Sequence, residues 1–277
     1  MAADKFTPAM RRRSGIIRSA RALAIAIAVL YLAPLYGVTL RPVPLIVSAA
    51  ISLKGVLDDL GAIYQRSDPG VKITFNYGAS GTLQRQIEQG APVDIFISAG
   101  TEQSRALDSE GLLLGGTLRD LAGNELVLIV PASAKSIGGF ADLERPEIRV
   151  VALGEPATVP AGMYARQTLE HLGLLGAVAG KAVYAKDVLQ VLTYVETGNA
   201  DAGIVYRTDA QGTPHVRIAA TAQPGWHDPI VYPAAVVKGT RHPTAAIAFL
   251  NFLASAPALT VFAQRGFSIP ENQPTGH

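Results

Sequence analysis

The chain has 277 residues, 49% of them hydrophobic and 17% charged, enough for one large or two modest domains around a sizeable core. Cysteine is absent, which excludes disulfides, thiolate metal sites, a cysteine nucleophile and a lipid-bearing N-terminal cysteine. The formal charge of +2 is uneven: Lys5, Arg11, Arg12, Arg13, Arg18 and Arg21 face only Asp4 in residues 1–40, leaving 18 basic and 21 acidic side chains, net −3, in 41–277. That remainder has no basic footprint for nucleic acid.

At the N-terminus, "RRRSGIIRSAR" runs into the apolar "ALAIAIAVLYLAPLYGV", the pattern of an export signal. The apolar run approaches the length of a membrane span, and Pro34 and the lack of a clean small-x-small cleavage site keep an uncleaved anchor open. Arg12-Arg13 matches a twin-arginine signal poorly. Residues 1–43 are therefore a signal peptide or N-terminal anchor, and the rest is expected in the periplasm, tethered if uncleaved.

From Pro44 the elements alternate. "LIVSAA" is a strand, and "SLKGVLDDLGAIYQR" a helix with Leu53, Val56, Leu57, Leu60 and Ile63 on one face. "VKITFNYG" alternates as a strand, "GTLQRQIEQG" is a helix stopped at Gly90, and "VDIFISA" is a buried strand. "TEQSRALDSEG" is a helix and "ELVLIVPA" a strand. The second half repeats this grammar with the strand "IRVVALG", a helix opened by Pro160, a helix capped by Asp187 and closed by Gly198, and the strand "DAGIVYR". Two helices broken near Pro257 end the chain. The alternation predicts an α/β protein of two lobes, with a mainly parallel sheet in each and a ligand between them. Lobe I is assigned 44–124 with 234–277 and lobe II 125–233, with "ELVLIV" and "YPAAVV" as hinge strands.

The turn Gly78-Ala79-Ser80-Gly81-Thr82 tests what chemistry the chain supports. A Walker loop needs a Lys-Ser/Thr that is missing, and a nucleophile elbow needs glycine where Thr82 stands. His171, His215, His227, His242 and His277 show no metal or triad spacing and are read as surface residues. No acid–base pair stands out, and no catalytic residue or metal ligand is assigned. A strand, a short polar turn and a helix start recur at Ser52, Ser80, Ala161 and Val188. Such starts offer unpaired N–H groups and the positive end of a dipole. They are either ordinary caps or, if they converge, a seat for an oxyanion.

The blocks "SAAISL", "GASGTLQRQIEQGAPVDIFISA", "GEPATVPAGMYARQTLEHLG" and "GIVY" resemble, in order and spacing, those of periplasmic molybdate-binding proteins of ABC importers. The similarity runs from about Leu45 to Phe267. It implies a two-lobed periplasmic-binding-protein fold (type II, Venus-flytrap), no cofactor, and molybdate or tungstate held by uncharged donors. It also implies a monomer that delivers the anion to a membrane permease. Carried over, the donors are Ser52 and Ser80 through hydroxyl and backbone, Ala161 and Val188 through their amides, and Tyr206 through its phenol. Ile51 and Lys54 near Ser52, and Gly78 and Gly81 near Ser80, depart from the residues usual there. A sulfate or other oxyanion receptor, a hydrolase using Ser80 or Ser52, and a membrane-anchored sensor are the competing readings. Lys54 is expected to point to solvent, Asp94 to fix local backbone, Arg207 to form a surface ion pair, and Trp226 to pack locally.

Overall fold

The computed structural model describes residues 41–270, so the basic and apolar run expected to be a signal or anchor lies outside the described residues, as does His277. Strand β1 (Val43–Ala50) passes through a tight turn at Ile51–Leu53 into the helix Lys54–Ser67, whose buried Val56, Leu57, Leu60 and Tyr64 form the predicted stripe. β2 (Val71–Gly78) leads to the helix Ser80–Glu88, and β3 (Ile95–Ile97) to the helix Thr101–Ser109. β3 covers only Ile95–Ile97, shorter than the apolar run 93–99 predicts. β4 (Arg119–Gly123) completes this first run.

Two residues later β5 (Leu126–Pro131) opens a second set. It continues through β6 (Val151–Gly154), the helix Pro160–His171, β7 (Ala182–Ala185), the helix Val188–Glu196, β8 (Ala202–Tyr206) and β9 (Val216–Thr221). The chain then returns as β10 (Val231–Val236) and ends in the helices Pro243–Leu253 and Ala256–Gln264. These last two meet at 56°, with Pro257 in the first turn of the second, and no single described helix is long and apolar enough to cross a membrane.

The strands form two five-stranded sheets, ordered β2-β1-β3-β10-β4 and β7-β6-β8-β5-β9. The expectation of mainly parallel sheets is corrected here. Each sheet has two parallel pairings, β1 with β2 and β3, and β6 with β7 and β8. Each also has two antiparallel pairings, made by β10 in the first sheet and β5 in the second. The reason is topological. β5 and β10 are the strands that follow the two crossings between sheets, so each arrives from the opposite end to its helix-linked neighbours. Burial on both faces hides this in the sequence: Leu126 to Val130 are all fully buried, and such a strand reads the same in either direction.

Each sheet is covered by its helices. Tyr64 meets Phe249 edge-on at 5.0 Å in the first lobe. In the second, the helix Pro160–His171 sits on β6 through a contact without side chains: a Cβ on Gly162 would lie 2.0 Å from the Gly154 carbonyl oxygen. This seat sets where the start of the helix, Ala161, projects. Gly162→Ala should lift the helix and cost about 1–3 kcal/mol in denaturant unfolding, the usual penalty for overpacking. An unchanged midpoint would show that the seat is not tight.

Candidate functional site

Ser52, Ser80, Ala161, Val188 and Tyr206 line one cavity between the lobes, together with Ala50, Gly78, Ala79, Ala99 and Pro160 among others. Ser80 is the first residue of its helix, Ala161 the second and Val188 the first. At those positions helix geometry supplies no acceptor for the N–H, and among the described residues the chain supplies none from elsewhere. Pro160 has no N–H to compete with that of Ala161. Asp187 caps the Val188 helix by accepting from Gln190 N at 2.9 Å, which leaves the Val188 amide unclaimed. Ser80, Ala161, Val188 and Tyr206 are buried, and Ser52 is half-buried.

No Lys, Arg, Asp, Glu or His lines this cavity. Its volume, about 10 Å³, is near the least that holds one water molecule and far below the ~300–1,000 Å³ of a pocket for a drug-sized ligand. The site suits a compact guest, and anything larger than water must ease the lobes apart on entry.

Hydrogen bonds cross the cleft beside the cavity. Gly81 N–H donates to Thr158 O at 2.9 Å, and a Cβ on Gly81 would lie 2.9 Å from that residue's backbone, so glycine permits this approach. The Ala99 peptide serves both lobes. Its N–H donates to Ser80 Oγ at 3.0 Å, and its carbonyl accepts from Tyr206 OH at 3.1 Å. The first bond occupies a lone pair of Ser80 and leaves its proton free for the cavity. The second uses the Tyr206 phenol, assigned from the sequence to the guest, as a latch between lobes. Burial first, then Tyr232, Tyr164 and Asp209, pushes that phenol well above its ordinary range, so it stays a donor.

Sequence reasoning missed Ala99, which acts through its peptide and has no side-chain signal. It also missed Asp209. This buried carboxyl accepts from Tyr206 N–H at 3.3 Å, and its pKa is pushed up to about 8 by burial, with Asp187 adding to the rise and the Tyr206 N–H opposing it. An acidic residue just past "GIVY" is the only trace it leaves in the sequence.

The remaining assigned residues lie off the cavity. Lys54 bonds Asp58 at 2.6 Å on the exposed surface and sits 5.2 Å from the centre of the Tyr77 ring. Asp94 fixes backbone as expected, accepting from Ile46 N at 2.7 Å and from Thr240 Oγ1. Arg207 pairs with Glu125. Trp226 packs on Phe140 and His171, at 5.8 and 6.1 Å between ring centres. Among the described residues no His, Asp and Glu cluster could hold a metal ion. A larger cavity of about 730 Å³ beside Trp226 is lined by Glu125, Glu170 and Asp228, which disfavour an anion. Arg207, Arg166 and Gln167 already engage those carboxylates.

Two α/β lobes, joined by two crossings and closed on a small buried cavity, define a two-domain fold like that of periplasmic binding proteins. The chain belongs to the bacterial extracellular solute-binding protein family, which matches it over residues 45–268. It is therefore an extracytoplasmic binding protein of a non-catalytic family. A Bacillus subtilis lipoprotein, YvgL, provisionally assigned to ABC-transporter substrate binding, is 42% identical over 82% of this chain and 87% of its own. The molybdate-binding protein ModA of Haemophilus influenzae is 37% identical over 80% of this chain and 89% of its own. The structure of the periplasmic molybdate-binding protein of Azotobacter vinelandii superposes with a TM-score of 0.74 at 26% identity, covering 82% of this chain and all of that one.

Asp209 gives the site a pH signature. Its folded pKa of about 8 lies above the ~4 of an unfolded aspartate, so folding takes up a proton between those values. Its contribution to stability is complete below pH ~4 and declines as pH rises toward 8. Asp209→Asn should therefore gain on the wild type in thermal unfolding as pH climbs through this window. A constant difference between the two would show that Asp209 is ionised throughout.

Proposed function

We propose that this protein captures molybdate, or the equivalent tungstate, between its lobes and delivers it, as a monomer, to the membrane permease of an ABC importer. The observation that carries the reading is the cavity in which Ser52, Ser80, Ala161 and Val188 offer donors, which Tyr206 lines as the latch to Ala99, and which no charged side chain lines. The names of the relatives and of the solved structure point to the same solute.

The chemistry of such a seat selects its guest. Molybdate near neutral pH is a fully deprotonated tetrahedral dianion whose oxygens only accept hydrogen bonds. Hydrogen phosphate brings a proton that needs an acceptor, and no carboxylate lines the cavity to take it. Each bond to a charged guest contributes ~1.5–3 kcal/mol. Desolvation of the dianion and ordering of two lobes consume much of the total, so affinity is a modest remainder. The lobes close like a flytrap about the crossings near Asn124 and at 222–230, and opening releases the anion without breaking an ion pair. Sulfate has the same charge and a smaller radius, so only the fit of the seat around the guest separates the two.

Calorimetric titration with molybdate, tungstate, sulfate and phosphate tests this, with heat expected from the first two. Folded protein silent to both would end the proposal. Ser80→Ala should weaken molybdate binding tenfold or more, about 1–3 kcal/mol for one lost donor. Full affinity in that variant would remove Ser80 from the donor set.

A further inference from the structure

We propose that Tyr232 and Asn124 are positioning residues for Ser52, holding its hydroxyl so that its proton is presented to the cavity. The inference rests on the oxyanion reading of that cavity and adds how one of its donors is set.

Asn124 sits at the first crossing, between β4 and β5. Its Oδ1 accepts from Glu125 N–H at 2.9 Å, which fixes the side-chain amide in one orientation. Its Nδ2 therefore faces the other way, with two protons and two acceptors: Thr208 Oγ1 at 2.9 Å and Tyr232 OH at 3.0 Å. Tyr232, fully buried on β10, has its oxygen 3.4 Å from Ser52 Oγ. By distance alone either hydroxyl could donate. Asn124 decides the direction: its Nδ2 can only donate, so among the described residues the one acceptor in reach of the Tyr232 proton is Ser52 Oγ. Ser52 cannot return its own proton along the same line, and that proton turns toward the cavity that Ser52 lines.

Two further observations support the relay. Tyr232 does not line the cavity, so it reaches the guest only through Ser52. Its ring is held by Tyr206 and Phe267, with centres 5.9 and 5.5 Å away, which fixes the phenol oxygen. Ser80 receives a matching bond from Ala99 N–H, so both serine hydroxyls are fed by a donor from behind. The two feeds differ in origin. That of Ser80 comes from a backbone N–H, whereas that of Ser52 comes from Tyr232, whose own donor, Asn124 at the crossing, also holds Thr208 of the second lobe. The orientation of Ser52 is thereby linked to the geometry of the hinge.

The test is a double-mutant cycle read by calorimetric titration with molybdate, using wild type, Tyr232→Phe, Ser52→Ala and the double variant. Tyr232→Phe keeps the ring and should weaken binding about tenfold. In the Ser52→Ala background the same change should cause no further loss. An equal loss in both backgrounds, or none in either, would overturn the relay, because a merely structural role does not depend on Ser52. Thermal unfolding checks each variant. Should Tyr232→Phe not fold, Asn124→Ala enters the same cycle, with a smaller loss expected that again vanishes with Ser52→Ala, and a persisting loss counting against the relay. Wild-type protein that takes up no molybdate would instead overturn the oxyanion reading, and this inference with it.

Discussion

Three helices begin around one buried point, and the first-turn amides of Ser80, Ala161 and Val188 find no acceptor elsewhere among the described residues. Buried N–H groups without partners are costly, and a fold that gathers several has left work for something outside the chain. Ser52, in the turn that follows β1, lines the same cavity. The guest such a place favours is small, rich in acceptors and negative. A lysine or arginine there would have answered part of the charge permanently. Dipoles answer it only while the geometry holds, which suits a protein that must let go.

The polar contacts around the cavity pass between hydroxyls and peptides in a consistent sense. Ala99 feeds Ser80 and accepts from Tyr206, and Thr158 accepts from Gly81. The last two of these bonds join lobes whose sheets share no strand pairing. Hydrogen bonds beside the cavity thus tie one lobe to the other. Asn124 and Tyr232 extend the same network from the cavity to the crossing.

Much of the architecture was legible because its signals are local. Apolar periodicity marked the helix Lys54–Ser67, Pro160 and Asp187 marked helix starts, and Pro257 marked the break between the last two helices. Strand direction was not legible, since β5 and β10 are buried on both faces and their reversal follows from the crossings. β4, β7 and β9 carried too little pattern: β4 opens with Arg119 and Asp120, and β7 leaves Val183 and Tyr184 exposed. In the site, helix starts showed in the sequence as short polar turns, and the resemblance added Tyr206. Ala99, Asn124, Asp209 and Tyr232 stayed hidden. Their roles depend on partners up to 180 residues away, as with Tyr232 and Ser52, and no spacing encodes that.

The reversed strands also constrain how the molecule comes into being. β10 stands between β3 and β4, so the first sheet lacks an inner member until the chain has run through the whole second lobe and returned. A nascent polypeptide emerging N-terminus first would expose the flank of β3, with Ile95, Phe96 and Ile97 unshielded, throughout that interval. Such bare edges invite pairing with other chains. Maturation of the earlier lobe is thus timed by synthesis of the later one, and the two cannot be separated by a single cut in the gene.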